Sequence, residues 1–200
     1  MAHHLIFEGA ELVGKSSLMQ ELYDVLEPRY QKTTGLLDGC HWFNCDVGIF
    51  GTPEGRPVIE HYTNIIQTLR DRNLLLEKFH LSDLVYHELL HMETPDYHEI
   101  EQRLLTLDVR LIFCTMEESE ALVEKRLQDR LRLYPHYQRI QRSPQEYLLQ
   151  QRAYEQAVRR SILPTLTVDL TNMPPTSARD NILTWLNEPL PSLSSSSVRN

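Results

Sequence analysis

The stretch Gly9–Ser16 limits what this chain can fold into more than any other part of it. It reads Gly-Ala-Glu-Leu-Val-Gly-Lys-Ser and has the form G-x-x-x-x-G-K-[ST]. The residues before it, Leu5–Glu8, predict a short buried strand, and Ser17–Leu26 place leucines and Val25 on one face at helical spacing. A glycine-rich loop between a strand and a helix is the phosphate-binding P-loop, in which backbone N–H groups point at an anion.

The P-loop assigns roles to individual residues. Lys15 would reach the outer phosphates of a nucleotide, and the Ser16 hydroxyl would ligate Mg²⁺. A chance Gly-Lys-Ser in a glycine turn is the alternative, and the flanking strand and helix argue against it. The nucleotide-binding residues are therefore predicted to be Gly9, Ala10, Glu11, Leu12, Val13, Gly14, Lys15, Ser16 and Ser17.

Composition bounds the class of protein. The 200 residues are 41% apolar, which suits one domain over residues 1–188, followed by a flexible serine-rich tail over residues 189–200. The formal net charge of −8 argues against a nucleic-acid-binding surface, which is normally basic. It does not argue against nucleotide binding, which needs only a few amides and cations.

The cysteines and the apolar runs predict a reduced, soluble protein. Cys40 and Cys45 could ligate a metal with His41, but their spacing fits no standard zinc pattern, so ordinary thiols are favoured for them and for Cys114. The apolar run after His3-His4 has only a strand's length, and no stretch is long enough to span a bilayer. We therefore expect no membrane association and a cytoplasmic location.

Strands and helices alternate along the chain, which predicts a five-stranded parallel sheet with helices on both faces. In such sheets the ligand binds at the carboxyl ends of the strands. The predicted strands are Leu5–Glu8, His41–Cys45, Asn73–Glu77, Val109–Cys114 and Leu166–Leu170. Five predicted helices run over residues 17–26, 57–71, 81–91, 94–107 and 177–186. Two more are predicted to begin at capping boxes, one at Thr115…Glu118 and one at Ser143…Glu146.

A second group of residues lies at the end of the third predicted strand. Glu77 and Lys78 would meet the P-loop at the carboxyl edge of the sheet, where reacting phosphates would lie. Glu77 could polarise an attacking oxygen or hold the metal, and Lys78 could neutralise charge on a transferring phosphoryl group. An acid and a base paired on the surface are the alternative.

The P-loop and this strand end together resemble the thymidylate kinase and deoxynucleoside kinase family. The run Phe7-Glu8-Gly9-x-Glu11-x-x-Gly14-Lys15-Ser16 is similar to the thymidylate kinase P-loop. Glu77, Phe79, Ser82 and Tyr86 match the family's next signature in type and spacing. Lys78 departs from it, because the family normally has arginine there, and lysine lacks the bidentate fork. The stretch Asp38–Tyr62 matches nothing in the family residue by residue.

A third similarity lies in Arg126-x-x-x-Arg130-x-Arg132, which resembles the arginine-rich helix and lid of deoxynucleoside kinases. The lid would cover about residues 130–143, and Tyr134–Arg142 should be mobile without ligand. A closed lid would bring guanidinium groups to the phosphoryl group and exclude water. Arginines that merely solvate a helix face are the alternative.

The resemblance implies a P-loop kinase fold and an ATP- and Mg²⁺-dependent kinase. Its first expected acceptor is thymidylate or a related (deoxy)nucleoside monophosphate. The alternatives are a deoxynucleoside kinase acting on a 5′-hydroxyl and a degenerate nucleotide-binding regulator. A GTPase switch is disfavoured, because neither Asp-x-x-Gly after the second or third strand nor Asn-Lys-x-Asp occurs. The resemblance also implies a homodimer, since members of the family often pair beside the active site.

These expectations distribute the site residues as follows. Trp42, Phe43 and Tyr62 could stack on an acceptor base, with packing in the core or rim as the alternative. The full substrate-binding set is Trp42, Phe43, Tyr62, Phe79, Ser82 and Tyr86; the metal ligands are Ser16 and Glu77; and the catalytic residues are Lys15, Glu77, Lys78, Arg126, Arg130 and Arg132.

Overall fold

The computed structural model describes residues 2–27, 39–46 and 48–187 of the chain. Its centre is a five-stranded sheet in which every neighbouring pair is parallel. The strands are β1 (His4–Glu8), β2 (Cys40–Asn44), β3 (Asn73–Glu77), β4 (Val109–Thr115) and β5 (Thr165–Asp169), and their order is β2-β3-β1-β4-β5. The central position of β1 places the loop that follows it at the middle of the carboxyl edge.

Helices cover both faces of this sheet, which confirms the predicted fold class. They are α1 (Lys15–Leu26), α2 (Gly55–Thr68), α3 (His80–Leu89), α4 (His98–Thr106), α5 (Glu120–Leu133), α6 (Pro144–Arg160) and α7 (Pro175–Asn187), with a 3₁₀ helix (Pro135–Ile140) between α5 and α6. Helix α1 packs against α7, and α3 packs against α6. Among the described residues, none of the helices has the length and apolar character to cross a membrane.

The core explains why the strands read as apolar runs. All five residues of β1 are buried, and so are the leucines of β3 and all of β4 except its last residue. A strand covered by helices on both faces has no solvent-facing side, so it shows a continuous run instead of an alternation. For this reason the predicted bounds of β3 agree with the structure residue for residue.

One predicted capping box is confirmed and another is wrong. The Ser143 hydroxyl accepts from the Glu146 N–H while the Glu146 carboxylate accepts from the Ser143 N–H, so α6 begins as expected. Thr115 and Glu118 form no such box, because Thr115 is still paired in β4 and Glu118 binds Arg152 at 2.6 Å. Helix α5 is capped instead by Ser119, whose hydroxyl accepts from the Leu122 N–H.

Several other boundaries differ from the prediction, most of them by one to three residues. Helix α4 begins at His98 and not at Thr94-Pro95, because the Tyr97 side chain is buried and its hydroxyl donates to Asp83 at 2.6 Å. Helix α6 ends at Arg160, so Ile162 lies beyond it and is 39% exposed. Residues 28–38 and the tail predicted over residues 189–200 lie outside the described residues.

Candidate active site

A cleft of about 1030 Å³ opens where the central strands end. Its walls are the P-loop residues 11–17, the ends of β2 and β3, and the segment formed by α5 and the 3₁₀ helix. Residues 170–175, between β5 and α7, complete it and present Met173, Pro174 and Pro175. The cleft therefore lies at the carboxyl edge, as the alternation of elements predicted.

The P-loop backbone needs glycine at its first position. Gly9 has a φ of +138°, and a Cβ atom there would lie 2.2 Å from the Cys114 carbonyl oxygen. Gly14 has a φ of +99° and directly precedes α1, which begins at Lys15. The loop can thus pass closely over β4 and turn into a helix whose first N–H groups face the cleft.

Lys15 is buried under the loop that it follows. Its Nζ donates to the carbonyl oxygens of Gly9 at 2.6 Å and Ala10 at 2.7 Å. Burial, together with repulsion from Lys78, lowers the pKa of Lys15 to about 8. Both of these hydrogen-bond acceptors are neutral, so a phosphate oxygen would be a better partner for the ammonium than either carbonyl.

Ser16 and Glu77 meet across the cleft. The Ser16 hydroxyl donates to Glu77 Oε1 at 2.7 Å, and the Asp46 carboxylate lines the same wall. Hydroxyl and carboxylate oxygens are the ligands that Mg²⁺ takes. The pair predicted as metal ligands is therefore brought together, and its donor atoms suit that ion.

Lys78 follows β3 in a left-handed backbone conformation, with a φ of +58°. Its N–H donates to the Phe7 carbonyl at 3.0 Å, and its Nζ lies 2.5 Å from Asp46 Oδ2. Burial alone would lower the pKa of Lys78, but Tyr86 and Asp46 raise it above its ordinary value. Burial would likewise raise the pKa of Asp46, whereas Lys78 holds it below its usual range. Lys78 is thus a firmly charged cation at the edge of the cleft.

Phe79 and Ser82, predicted to bind substrate, lie in the interior with 0% exposure and do not line the cleft. Both bind the carboxylate of Glu8, which is also fully buried: it accepts from the Phe79 N–H at 2.9 Å and from the Ser82 N–H and hydroxyl. Ser82 also contacts the Tyr154 hydroxyl at 2.7 Å, and burial raises the pKa of Glu8. This network holds the turn that carries Lys78, so Phe79 and Ser82 support the site from the protein interior.

Glu11 connects the P-loop to α5, in the segment that was predicted to act as a lid. Its carboxylate accepts from the Tyr86 hydroxyl at 3.3 Å and lies 3.4 Å from an Arg130 nitrogen. The guanidinium of Arg130 also lies 3.8 Å from the centre of the Tyr137 ring, within the range of a cation–π contact. Arg130 thus lines the cleft, whereas Tyr86 is not among its lining residues and lies next to Glu11 and Lys78.

The other two lid arginines are placed differently. Arg126 lines the cleft, but its guanidinium donates to backbone carbonyls. Arg132 has a side chain that is 77% exposed and pairs with Asp129 at 3.1 Å. It is not among the residues lining the cleft. Helix α5 therefore places Arg126 and Arg130, but not Arg132, along the cleft.

The aromatic candidates pack on one another. The Phe43 and Tyr62 rings are 6.2 Å apart, and Tyr62 lies 6.4 Å from Phe79. Trp42 lies 6.4 Å from Tyr23. All three candidates are partly buried against the core and none lines the cleft, so core packing accounts for their present positions and base stacking stays a prediction.

Sequence reasoning missed two acids: Asp46, which lines the cleft, and Asp83, which does not. Asp46 follows β2 at the carboxyl edge, a position that the strand assignment could have revealed. Asp83 is fully buried and accepts from the Gly51 N–H at 2.9 Å and the Tyr97 hydroxyl at 2.6 Å, with His87 at 3.2 Å. Its partners are distant in sequence, so no local pattern signals its role in holding the loop between β2 and α2.

All three cysteines carry free, buried thiols. Burial raises the pKa of Cys40 and of Cys114 to about 12, so both stay protonated at neutral pH. The described residues contain no cluster of three or more metal-binding side chains built from His, Cys, Asp and Glu. These thiols accordingly act as small core residues.

No protein-family model and no curated protein matches the sequence. Solved structures do match its fold. YorR from Bacillus subtilis, solved in complex with phosphorylated GDP, has a TM-score of 0.65 and 14% identity, over 91% of this chain and 94% of that one. Deoxyadenosine kinase from M. mycoides with bound dCTP has a TM-score of 0.52 and 13% identity, over 94% and 99%.

A sugar kinase from Janibacter sp. HTCC2649 is also similar, with a TM-score of 0.51 and 16% identity, over 93% of this chain and 95% of that one. Each comparison covers nearly the whole of both chains. At these identities the likeness shows the fold alone. The chain has the P-loop kinase fold, and any activity has to be inferred from the site.

Proposed function

We propose that the protein is an ATP-dependent kinase that transfers the γ-phosphoryl group to a (deoxy)nucleoside monophosphate, in the manner of a thymidylate kinase. The observation that carries this proposal is the meeting of Lys15, Ser16, Glu77 and Lys78 in one cleft. Two cations, a helix N-terminus and a pair of metal-type oxygen ligands are the parts that phosphoryl transfer needs.

The donor would bind with its phosphates on the P-loop. The amides at the start of α1 would bind the phosphate oxygens, and Lys15 would exchange the Gly9 and Ala10 carbonyls for the outer phosphates. The nucleoside part would extend toward residues 170–175, whose Met173, Pro174 and Pro175 offer apolar surface. Ser16 and Glu77 would hold Mg²⁺, which neutralises charge on the phosphates when it is bound.

The acceptor would enter from the side of β2 and β3. Lys78 would stabilise negative charge on the phosphoryl group or on the acceptor phosphate, and Arg130 would move from Glu11 to the same charge as the lid closes. Tyr86, between Glu11 and Lys78, would contact the acceptor. An acceptor that already carries a phosphate needs no base, because its oxygen is ionised.

A deoxynucleoside kinase is the second candidate, and Asp46 is the observation that favours it. Its carboxylate lines the cleft and is ionised, so it can accept the proton of a 5′-hydroxyl. The ion pair with Lys78, which lowers the pKa of Asp46, makes it a weaker base. The likeness to deoxyadenosine kinase is compatible with this reading. A nucleotide-binding regulator is the third candidate, suggested only by lysine at position 78.

A panel of nucleosides and nucleoside monophosphates, each incubated with Mg-ATP while ADP release is followed, tests these candidates. We expect turnover above the rate without acceptor for one or a few monophosphates. Turnover with nucleosides alone would move the assignment to the second candidate. ATP binding without turnover for any acceptor would support the regulator.

A further inference from the structure

We propose that Arg126 is a positioning residue that braces the P-loop against residues 170–175, so that the phosphate and nucleoside parts of the donor site keep a fixed spacing. This inference rests on the proposed function, because it concerns how a nucleotide donor is held. It also differs from the sequence prediction, in which Arg126 was a catalytic cation like Arg130.

The brace is a set of hydrogen bonds to backbone carbonyls on two separate loops. One terminal nitrogen of Arg126 donates to the carbonyls of Leu12 and Val13, each at 3.0 Å. The other donates to the carbonyls of Leu170 at 2.5 Å and Thr171 at 3.4 Å. A single planar group in α5 thus joins the loop after β1 to the loop after β5.

These hydrogen bonds leave few N–H donors of the Arg126 guanidinium available to a phosphate. Arginine has five N–H donors, of which four lie on the two terminal nitrogens. In Arg126 both terminal nitrogens donate to carbonyl oxygens, so the pair of donors that would bind a phosphate is already engaged in hydrogen bonds. Arg130, one helical turn further on, has a carboxylate and an aromatic ring as partners and faces the cleft.

The two loops that Arg126 joins form different parts of the donor site. The P-loop binds phosphates through its own amides and Lys15, whereas residues 170–175 form the wall that would meet the nucleoside. A ligand that touches both loops depends on their spacing, and a ligand made of phosphates alone does not. ATP and inorganic tripolyphosphate are therefore the two probes that separate a brace from a direct phosphate contact.

The test compares ATP and tripolyphosphate binding, both with Mg²⁺, by calorimetry on the full chain and on Arg126→Met. We expect ATP to bind at least about tenfold more weakly to the variant, equivalent to about 1.4 kcal/mol, and tripolyphosphate to change by less than about threefold. Equal weakening of both ligands would overturn the brace, because it is the result expected of a direct phosphate contact. An unchanged ATP affinity would overturn it as well.

Two further variants sharpen the comparison. Arg126→Lys keeps the charge but loses the planar fork, so it should not restore ATP binding; full restoration would identify a point-charge role and contradict the brace. Lys125→Met removes one cation from an exposed position on the same helix. It should leave both affinities unchanged, which controls for the loss of charge alone.

Hydrogen exchange in the free protein tests the brace without any nucleotide. In Arg126→Met, and in Arg126→Lys if the first variant folds poorly, amides of residues 11–14 and of residues 171–173 should both exchange faster than in the wild type. Unchanged exchange in either loop would overturn the brace. If the wild type binds no ATP, the proposed function fails, while this comparison still decides whether Arg126 joins the loops.

Discussion

Lys15 and Lys78 approach the same cleft with opposite electrostatic surroundings. Lys15 is buried among neutral carbonyls and its pKa falls to about 8, whereas Lys78 is held by Asp46 and its pKa rises. Above about pH 8 a phosphate that binds Lys15 therefore requires the uptake of a proton there, which weakens binding, while Lys78 is already charged before any ligand binds. The two lysines should respond differently to pH and to substitution.

The first prediction concerns pH and Lys15. Because only the ammonium attracts phosphates, ATP affinity should be fully present below about pH 8 and should fall above it, by up to about tenfold per pH unit. Calorimetric titrations between about pH 7.5 and about pH 9.5 would measure this. Lys15→Met should bind ATP weakly and with a flat profile over the same range. Parallel profiles in the two proteins would exclude Lys15 as the source.

The second prediction concerns Lys78. Lys78→Arg should keep or raise kcat, because arginine offers two parallel donors to two phosphate oxygens. Lys78→Met, which has similar length and no charge, should lower kcat by roughly a hundredfold or more, the scale of losing one preorganised transition-state donor. ATP affinity should barely change in either variant. Full activity in a natively folded Lys78→Met would remove Lys78 from the transfer step.

Among individual residues, the sequence predicts those candidate site residues that belong to a motif. Lys15, Ser16, Glu77 and Lys78 were found because local spacing links each to a strand end or a loop. The sequence could not predict that Phe79 and Ser82 lie outside the cleft, because their positions depend on the buried carboxylate of Glu8, more than sixty positions away in the chain. The four carbonyl partners of Arg126 could not be predicted either, since they too are distant in sequence.

Two elements border the cleft, the loop between β2 and α2 and the segment of α5 and the 3₁₀ helix that we predict to act as a lid. Asp83 on α3 holds the first through the Gly51 N–H, and Gly55 opens α2 directly against it. A Cβ atom on Gly55 would lie 2.0 Å from Asp83 Oδ1. The loop therefore depends on a small residue at the start of α2 and on a carboxylate that the Gly51 N–H and the Tyr97 hydroxyl hold in place.

The third prediction uses this contact. Gly55→Ala should displace Asp83, lower the free energy of unfolding by roughly 1–3 kcal/mol and raise the KM of the acceptor more than that of ATP. Chemical denaturation and steady-state kinetics would measure the two effects. Gln67→Ala, at an exposed position of the same helix, is the matched control and should change neither quantity. Equal rises in both KM values would show that the loop does not serve the acceptor side.

The fourth prediction concerns the lid, where the 3₁₀ helix packs against α5 and Arg130 contacts Glu11 and Tyr137. Hydrogen exchange over residues 134–142 should slow when donor and acceptor are added together, since closure brings Arg130 onto the phosphates. Exchange within α6 should not change, which provides the internal control. Arg130→Met should abolish the slowing; equal exchange with and without ligands in the wild type would leave Arg130 as a surface charge.

Strands and helices were predictable where interactions between residues close in sequence determine their bounds. Apolar runs marked β1, β3 and β4, and a reciprocal side-chain cap marked the start of α6. The starts of α4 and α5 were wrong because tertiary contacts set them: Tyr97 reaches Asp83, and Glu118 pairs with Arg152. A capping pattern in the sequence cannot reveal that its residues are engaged elsewhere.

The whole molecule is organised by its strand order. Because β1 lies between β3 and β4, the P-loop, Lys78 and the loop after β5 meet at one edge although they are far apart in the chain. The alternation of strands and helices predicted this edge, and the similar solved structures show the same fold. Composition and spacing do not specify an acceptor, since the side of the cleft where we propose that it enters is built from loop contacts with no sequence pattern.

The central claim is that this cleft moves the γ-phosphoryl group of ATP to a nucleotide acceptor. The direct measurement follows a γ-³²P label from ATP into the acceptor selected by the panel, with wild type, Lys15→Met and Lys78→Met compared at equal concentration. We predict labelled nucleoside diphosphate with the wild type and a loss of roughly a hundredfold or more with each variant. Label released only as inorganic phosphate, at the same rate in all three folded proteins, would contradict the account.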